Sequence, residues 1–155
     1  MWNNAKQRAR VFKSVQATEF WRRNAILIPI YEDEHWMLAI AYPRHSKIDF
    51  FDSMGLRSRH AKTVAHLVSS LLELAHGRRF NNAIPTPTSW SSRAHVKPGC
   101  PRQYGAVDCG LWVLTVVAAV LRAFRTTALL EHDMPNFRMY MYTLINKHIP
   151  PVMPR

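Results

Sequence analysis

Four residues of this chain carry the groups that nucleophilic acyl transfer uses: His35, Asp52, Gln103 and Cys109. A cysteine sulfur attacks carbonyl carbon as its thiolate, and an imidazole within reach can take the thiol proton. A carboxylate on the other ring nitrogen fixes the tautomer that does so. Cys109 stands where a loop containing Gly105 turns into a long apolar run. A helix starting there would surround the sulfur with partial positive charge and unpaired N–H groups, both of which stabilise a thiolate. The same groups help hold the oxyanion of a tetrahedral intermediate, and Gln103, just upstream, can swing its amide NH2 to the same place. Gly110 lets a substrate backbone approach closely.

Each residue alone has a plainer explanation. A cysteine at a helix start is commonly a small buried hydrophobe. A histidine at a strand end is commonly a surface residue. Asp52-Ser53-Met54-Gly55 is a good ordinary turn. The functional reading therefore depends on whether the surrounding elements bring the four together.

Those elements are legible from patterning. Residues 6–23 mix basic side chains with Phe12, Phe20 and Trp21 and suggest an amphipathic helix or turn. Ile26 to Tyr31 reads as a strand, with Pro29 pointing to an edge or a bulge. Trp36 to Tyr42, opened by His35, is apolar on both faces and reads as a central strand. Lys47 to Asp52 is a third. Short polar connections make these three an antiparallel meander. In that arrangement the start of the second strand and the end of the third share one edge, which sets His35 beside Asp52. From about His60 to His76 the spacing predicts a helix, with Gly77 as its C-cap. Residues 81–101 read as a long loop holding Trp90, with a short strand near Ala94 to Val96. Cys109 to about Phe124 is a strongly apolar helix. Pro135 to Lys147 is a last one, with Asp133 as its N-cap. The fold class is α+β, with a central antiparallel or mixed sheet packed with helices.

At 155 residues the chain fits one domain, at ~150 residues per domain. A chain of that size buries ~70% of its unfolded surface and needs no metal or disulfide to hold a core. Apolar residues make up 48% and charged residues 20%, which excludes disorder, collagen and coiled coil. Two cysteines exclude a disulfide-rich secreted scaffold. The N-terminus lacks the apolar stretch of a secretory signal, and the run Leu111 to Leu121 falls short of the ~20 residues that span a bilayer. Together these place the protein in a reducing intracellular compartment, nucleus or cytoplasm, with no membrane association. Arg22-Arg23 and Arg78-Arg79 are too short for a nuclear import signal. The net charge of +11 attracts polyanions without specifying one, so nucleic-acid contact would be non-specific.

Four segments resemble, in order, the catalytic domain of Ulp1/SENP-type cysteine proteases, which process and remove SUMO. Ile26 to Tyr42, containing His35-Trp36, is similar to the family's strand–turn–"HWxLxxI" segment. Phe50-Phe51-Asp52-Ser53-Met54-Gly55 is similar to its "YYDSLG". Pro101 to Gly110 is similar to its "PQQxNGxDCG", and Met134 to Met141 to its "MPxFRxxM". Trp90 also falls where the family has a Trp ahead of the glutamine segment. The resemblance covers roughly residues 10–148 and implies a papain-like fold. It implies His35 as general base, Asp52 as its orienter, Cys109 as nucleophile and Gln103 as oxyanion donor. It also implies a substrate tail ending in Gly-Gly threaded past Trp36, a monomer with SUMO or another ubiquitin-like protein and its conjugates as partners, and no cofactor.

Three departures stand out. Gly105 and Ala106 replace the family's Asn-Gly in the oxyanion loop. The family's tunnel has a second wall, a Trp from an upstream "WLND"-type segment, and Trp2 lies too close to His35 to be that residue. The chain therefore reads as N-terminally short, a fragment or a divergent copy of the kind found beside transposon-encoded proteins. Residues 56–100 match no family segment. Alternative readings are a modifier-binding module without turnover, and a nucleic-acid-binding domain for which no motif is found. A zinc site from His95, Cys100 and Cys109 matches no common spacing. Cys100 reads as a loop bystander. His60, His66 and His76 read as solvated, the Arg-rich edges likewise, and Met134, Met139 and Met141 as core filler on the last helix.

Overall fold

A computed structural model of the protein describes residues 4–55, 61–76, 90–95, 102–123 and 127–149. The helix expected near the N-terminus is α1 (Ala5–Val15), capped by the Asn4 side chain accepting from the Lys6 N–H. Two short 3-10 turns follow, over Gln16–Thr18 and Phe20–Arg22. They fold Phe20 and Trp21 back onto Phe12, with Trp21 stacked on Phe12 at 6.1 Å and Phe20 edge-on to Trp21 at 5.1 Å. The aromatic side chains of this basic segment thus turn inward, while the charges stay outside.

The meander is present as β1 (Ile26–Glu32), β2 (His35–Tyr42) and β3 (Lys47–Phe51), antiparallel throughout. Pro29 is accommodated because β1 is the edge strand in the order β1-β2-β3-β4. The β1–β2 turn is two residues long, with Asp33 at φ 50° and Glu34 at φ 59°. Two successive left-handed residues make the hairpin turn whose twist matches the flanking strands, and this turn delivers His35 to the first position of β2. β4 (Ser91–His95) starts earlier than the sequence suggests and pairs parallel to β3, so the sheet is mixed. Val96, the expected end of that strand, lies outside the described residues, as do Gly77 and most of the 81–101 loop.

Helices cover both faces of the sheet, which is why β2 is apolar on both sides. On one face Ala39, Ala41, Ile48 and Phe50 pack with α1 and with Val64, Val68 and Leu72 of α2 (Ala61–His76). The buried Trp90 donates its indole N–H to Ser69 of α2 at 2.8 Å, tying the start of β4 to that layer. On the other face Leu38, Ile40 and Phe51 pack with Trp112, Val113 and Val116 of α3 (Cys109–Leu121) and with Met134, which opens α4 (Met134–His148). Full burial of side chains such as Leu38 contributes about 1.5–3 kcal/mol each. The class is α+β, as expected. Among the described residues no helix is long and apolar enough to cross a membrane.

Several details differ from the sequence reading. α3 ends at Leu121 rather than near Phe124, because the chain turns left-handed at Ala123, φ 61°. Asp133 does not cap α4 with its side chain. Its carboxylate accepts instead from the Leu130 N–H at 2.8 Å and closes the 3-10 turn Glu131–Asp133 ahead of the helix. Of the three methionines assigned to the core, only Met134 is fully buried; Met141 is half-buried and Met139 is 65% exposed. The inward stripe of α4 runs through Met134, Phe137, Met141 and Leu144, at helical spacing that leaves position 139 outside. His66 is exposed, as expected, while His60 lies outside the described residues.

Candidate active site

Asp52 follows β3 directly, the strand ending at Phe51, one residue before the end that the sequence suggests. The register pairs Leu38 with Phe51, so the residues before Leu38 and after Phe51 share one edge of the sheet. There Asp52 accepts a hydrogen bond from His35 Nε2 at 2.8 Å, with both side chains largely buried. The same oxygen, Oδ1, accepts from the Met54 N–H at 2.9 Å, and the Gly55 N–H donates to the Asp52 carbonyl at 3.0 Å. Gly55 closes this turn at φ 74°, a conformation that favours glycine. The ordinary turn and the histidine partner are thus one feature: the turn fixes the carboxylate, and the carboxylate fixes the imidazole. A carboxylate acceptor at Nε2 keeps the proton on that nitrogen and leaves Nδ1 as the basic lone pair.

Gln103 is held from the same turn. Its backbone N–H donates to the Ser53 carbonyl at 2.9 Å, and Ser53 Oγ donates to Gln103 Oε1 at 2.8 Å. Its Nε2 donates to the Gly105 carbonyl. A primary amide has two N–H groups, so one remains for an oxyanion after the Gly105 contact. Ser53, buried with Gln103, determines which end of the amide faces the loop. The sequence marked Ser53 only as a turn residue. Its position directly after Asp52 was the available signal, and its partner fifty residues away was not visible in it.

Cys109 is a free, buried thiol at the first position of α3, as expected, with the Asp108 carbonyl already accepting from the Trp112 N–H at 2.9 Å. Gly110 sits against Trp36: a Cβ there would meet Trp36 Cδ1 at 3.4 Å. The neighbour of Cys109 therefore lies against the neighbour of His35, while Gln103 bonds to the neighbour of Asp52. Trp36 is 40% exposed and stacks on Tyr31 at 4.9 Å, with Tyr31 58% exposed, which leaves an open aromatic surface beside the helix start.

Contacts that sequence reasoning missed tie residues 102–108 to the rest. The Glu131 carboxylate accepts from the backbone N–H groups of Tyr104 (3.1 Å) and Gly105 (3.3 Å), and from the Trp112 indole N–H (3.1 Å). Arg138 of α4, its side chain about half exposed, pairs with Asp108. A Cβ at Gly55 would meet the Arg102 guanidinium at 3.4 Å. Among the described residues no three His, Cys, Asp or Glu side chains are grouped to hold a metal; Cys100 lies outside those residues.

An imidazole with its far nitrogen tied to a carboxylate, a thiol at a helix N-terminus and an amide donor on the intervening loop can carry out acyl transfer through a covalent intermediate. The family model for the Ulp1 protease family, C-terminal catalytic domain, matches residues 2–152. Among solved structures, a Chaetomium thermophilum Ulp1-like SUMO protease catalytic domain is similar at TM-score 0.62 and 23% identity, covering 92% of this chain and 55% of that one. The C-terminal Ulp1 protease domain in complex with SMT3, the yeast ortholog of SUMO, is similar at TM-score 0.60 and 16% identity, covering 90% and 62%. The SUMO protease Ulp1 with its catalytic cysteine oxidised to a sulfonic acid gives TM-score 0.62 at 16% identity, covering 90% and 63%. The chain thus spans somewhat more than half the length of these structures. No curated protein matches its sequence.

Proposed function

This chain belongs to the Ulp1 protease family, and from that premise we propose that it is a cysteine peptidase and isopeptidase cutting after the C-terminal Gly-Gly of SUMO or a related ubiquitin-like modifier. In this reading residues 1–155 are a single catalytic domain. The observation that carries it is the His35 Nε2 to Asp52 Oδ1 bond at the sheet edge where the Cys109 helix begins against Trp36.

The mechanism follows from those positions. His35 Nδ1 takes the Cys109 thiol proton, and the sulfur attacks the carbonyl carbon of the substrate's last glycine. Negative charge gathers on the carbonyl oxygen and is met by the Gln103 amide and the first N–H groups of α3. Collapse of this intermediate breaks the C–N bond, and His35 returns its proton to the leaving amine. The modifier is now a thioester on Cys109. Water, losing a proton to His35, adds to the thioester; the thiolate leaves and the modifier departs as a free carboxylate. Trp36 and Gly110 bind the tail. Gly110 packs against one edge of Trp36, and the exposed part of that ring offers a flat surface to a chain without side chains, which is what Gly-Gly supplies.

SUMO carrying a C-terminal fluorogenic amide tests this. The wild type releases the fluorophore and Cys109→Ala does not; release that persists in Cys109→Ala overturns the reading. The same assay with ubiquitin reports modifier preference. A chain that binds SUMO and leaves the amide intact is a modifier-binding module instead.

A further inference from the structure

We propose that Glu131 is a positioning residue for the oxyanion loop, an inference that rests on the protease reading above. Gln103 and Cys109 must both face one carbonyl group, yet the segment between them, residues 104–108, is irregular backbone with no ladder to hold it. One carboxylate holds its first two residues, while Arg138 pairs with Asp108 at its far end. Glu131 Oε1 accepts from two consecutive backbone N–H groups, those of Tyr104 and Gly105, while Oε2 accepts from the indole N–H of Trp112. Trp112 is fully buried in the core beneath α3, one turn from Cys109. The carboxylate therefore references the loop to the helix that carries the sulfur. Its effect on Gln103 is direct in geometry, because the Gly105 carbonyl accepts from Gln103 Nε2. Holding the amide of Gly105 holds the peptide unit next to the carbonyl that orients the oxyanion donor. Tyr104 is exposed and Val107 likewise, so side-chain packing does not fix this loop. Hydrogen bonds to a charged acceptor are the stronger kind.

The role separates from general stability because two reactions of the same sulfur need different things. Acyl transfer needs the oxyanion donors. Alkylation of Cys109 by iodoacetamide forms an S–C bond and expels iodide, with no oxyanion to hold. Glu131→Ala therefore lowers kcat on the SUMO fluorogenic amide by about 10–100-fold, part of the ~10²–10³-fold that an oxyanion donor supplies. KM and the iodoacetamide rate stay within about two-fold of wild type, since neither depends on that donor. Affinity for SUMO ending in a glycinal, whose aldehyde carbon adds the sulfur and becomes tetrahedral while its oxygen takes the oxyanion's place, falls in parallel with kcat. Glu131→Gln keeps one oxygen for the two backbone N–H groups but sets its NH2 against the Trp112 indole N–H, so its kcat falls between wild type and Glu131→Ala. Glu131→Met keeps the side-chain length without an acceptor and repeats the loss, which keeps the test intact if the alanine variant fails to fold. Unchanged kcat in Glu131→Met, or equal losses of turnover and alkylation, overturns the inference while the protease reading stands. A wild type that neither cleaves the amide nor binds the glycinal overturns both.

Discussion

At the scale of single residues, Asp52 serves two neighbours through one oxygen: the His35 ring and the Met54 N–H. Asp52→Asn keeps the shape but replaces a charged acceptor with an amide that also donates. The imidazole then loses the partner that keeps its proton on Nε2 and loses the charge that stabilises imidazolium. We expect kcat on the SUMO amide to fall about 10²–10⁴-fold, with little change in the melting temperature. Steady-state kinetics beside a thermal melt check this. Cys109→Ala is the matching loss of the nucleophile itself. Ser53 and Glu131 belong to the same scale, and their partners lie far away in sequence. No local pattern announces such contacts. A serine after an aspartate and a glutamate before a helix are both ordinary, and only the fold gives each an address.

At the scale of elements, the β1–β2 hairpin and the start of α3 do most of the positioning. The hairpin uses Asp33 and Glu34 in left-handed conformations, which cost about 1–2 kcal/mol for a residue with a side chain. Glu34→Gly relieves that cost at one position and raises unfolding stability by about 1 kcal/mol, measurable by denaturant titration. A change at the second position of α3 runs the other way for function. Gly110→Ala adds helix propensity worth about 0.8–1 kcal/mol. The new methyl group lies 3.4 Å from Trp36 and presses on the ring proposed to carry the glycine tail. We expect an unchanged or raised melting temperature and a rise in KM of about 5–150-fold, ~1–3 kcal/mol lost from substrate binding. Both elements were legible in the sequence because apolar runs and turn residues are local signals. Their boundaries were less so. α3 stops where Ala123 turns left-handed, and Met139 falls outside a core stripe that its residue type suggested it would join.

At the scale of the whole molecule, the charge of +11 acts on encounter rather than on chemistry. A basic protein meets an acidic modifier faster than diffusion alone allows, and salt screens that attraction over a Debye length of about 8–10 Å. We therefore expect kcat/KM for the SUMO amide to fall by about 3–10-fold as sodium chloride rises from about 50 to 300 mM, with kcat nearly constant. A salt-independent kcat/KM would remove the charge from the account of recognition. The sequence by itself determined the class of the fold, the strand edge shared by His35 and Asp52, and a cysteine at a helix start. Those follow from hydrophobic periodicity and turn chemistry, which act over a few residues. Only the tertiary structure decided that Ser53 orients Gln103, that Glu131 spans the loop 104–105 and Trp112, and that Arg138 pairs with Asp108. Such contacts join polar groups at large sequence separation, and a polar side chain leaves no periodic trace of the partner it will find once the apolar layers have closed.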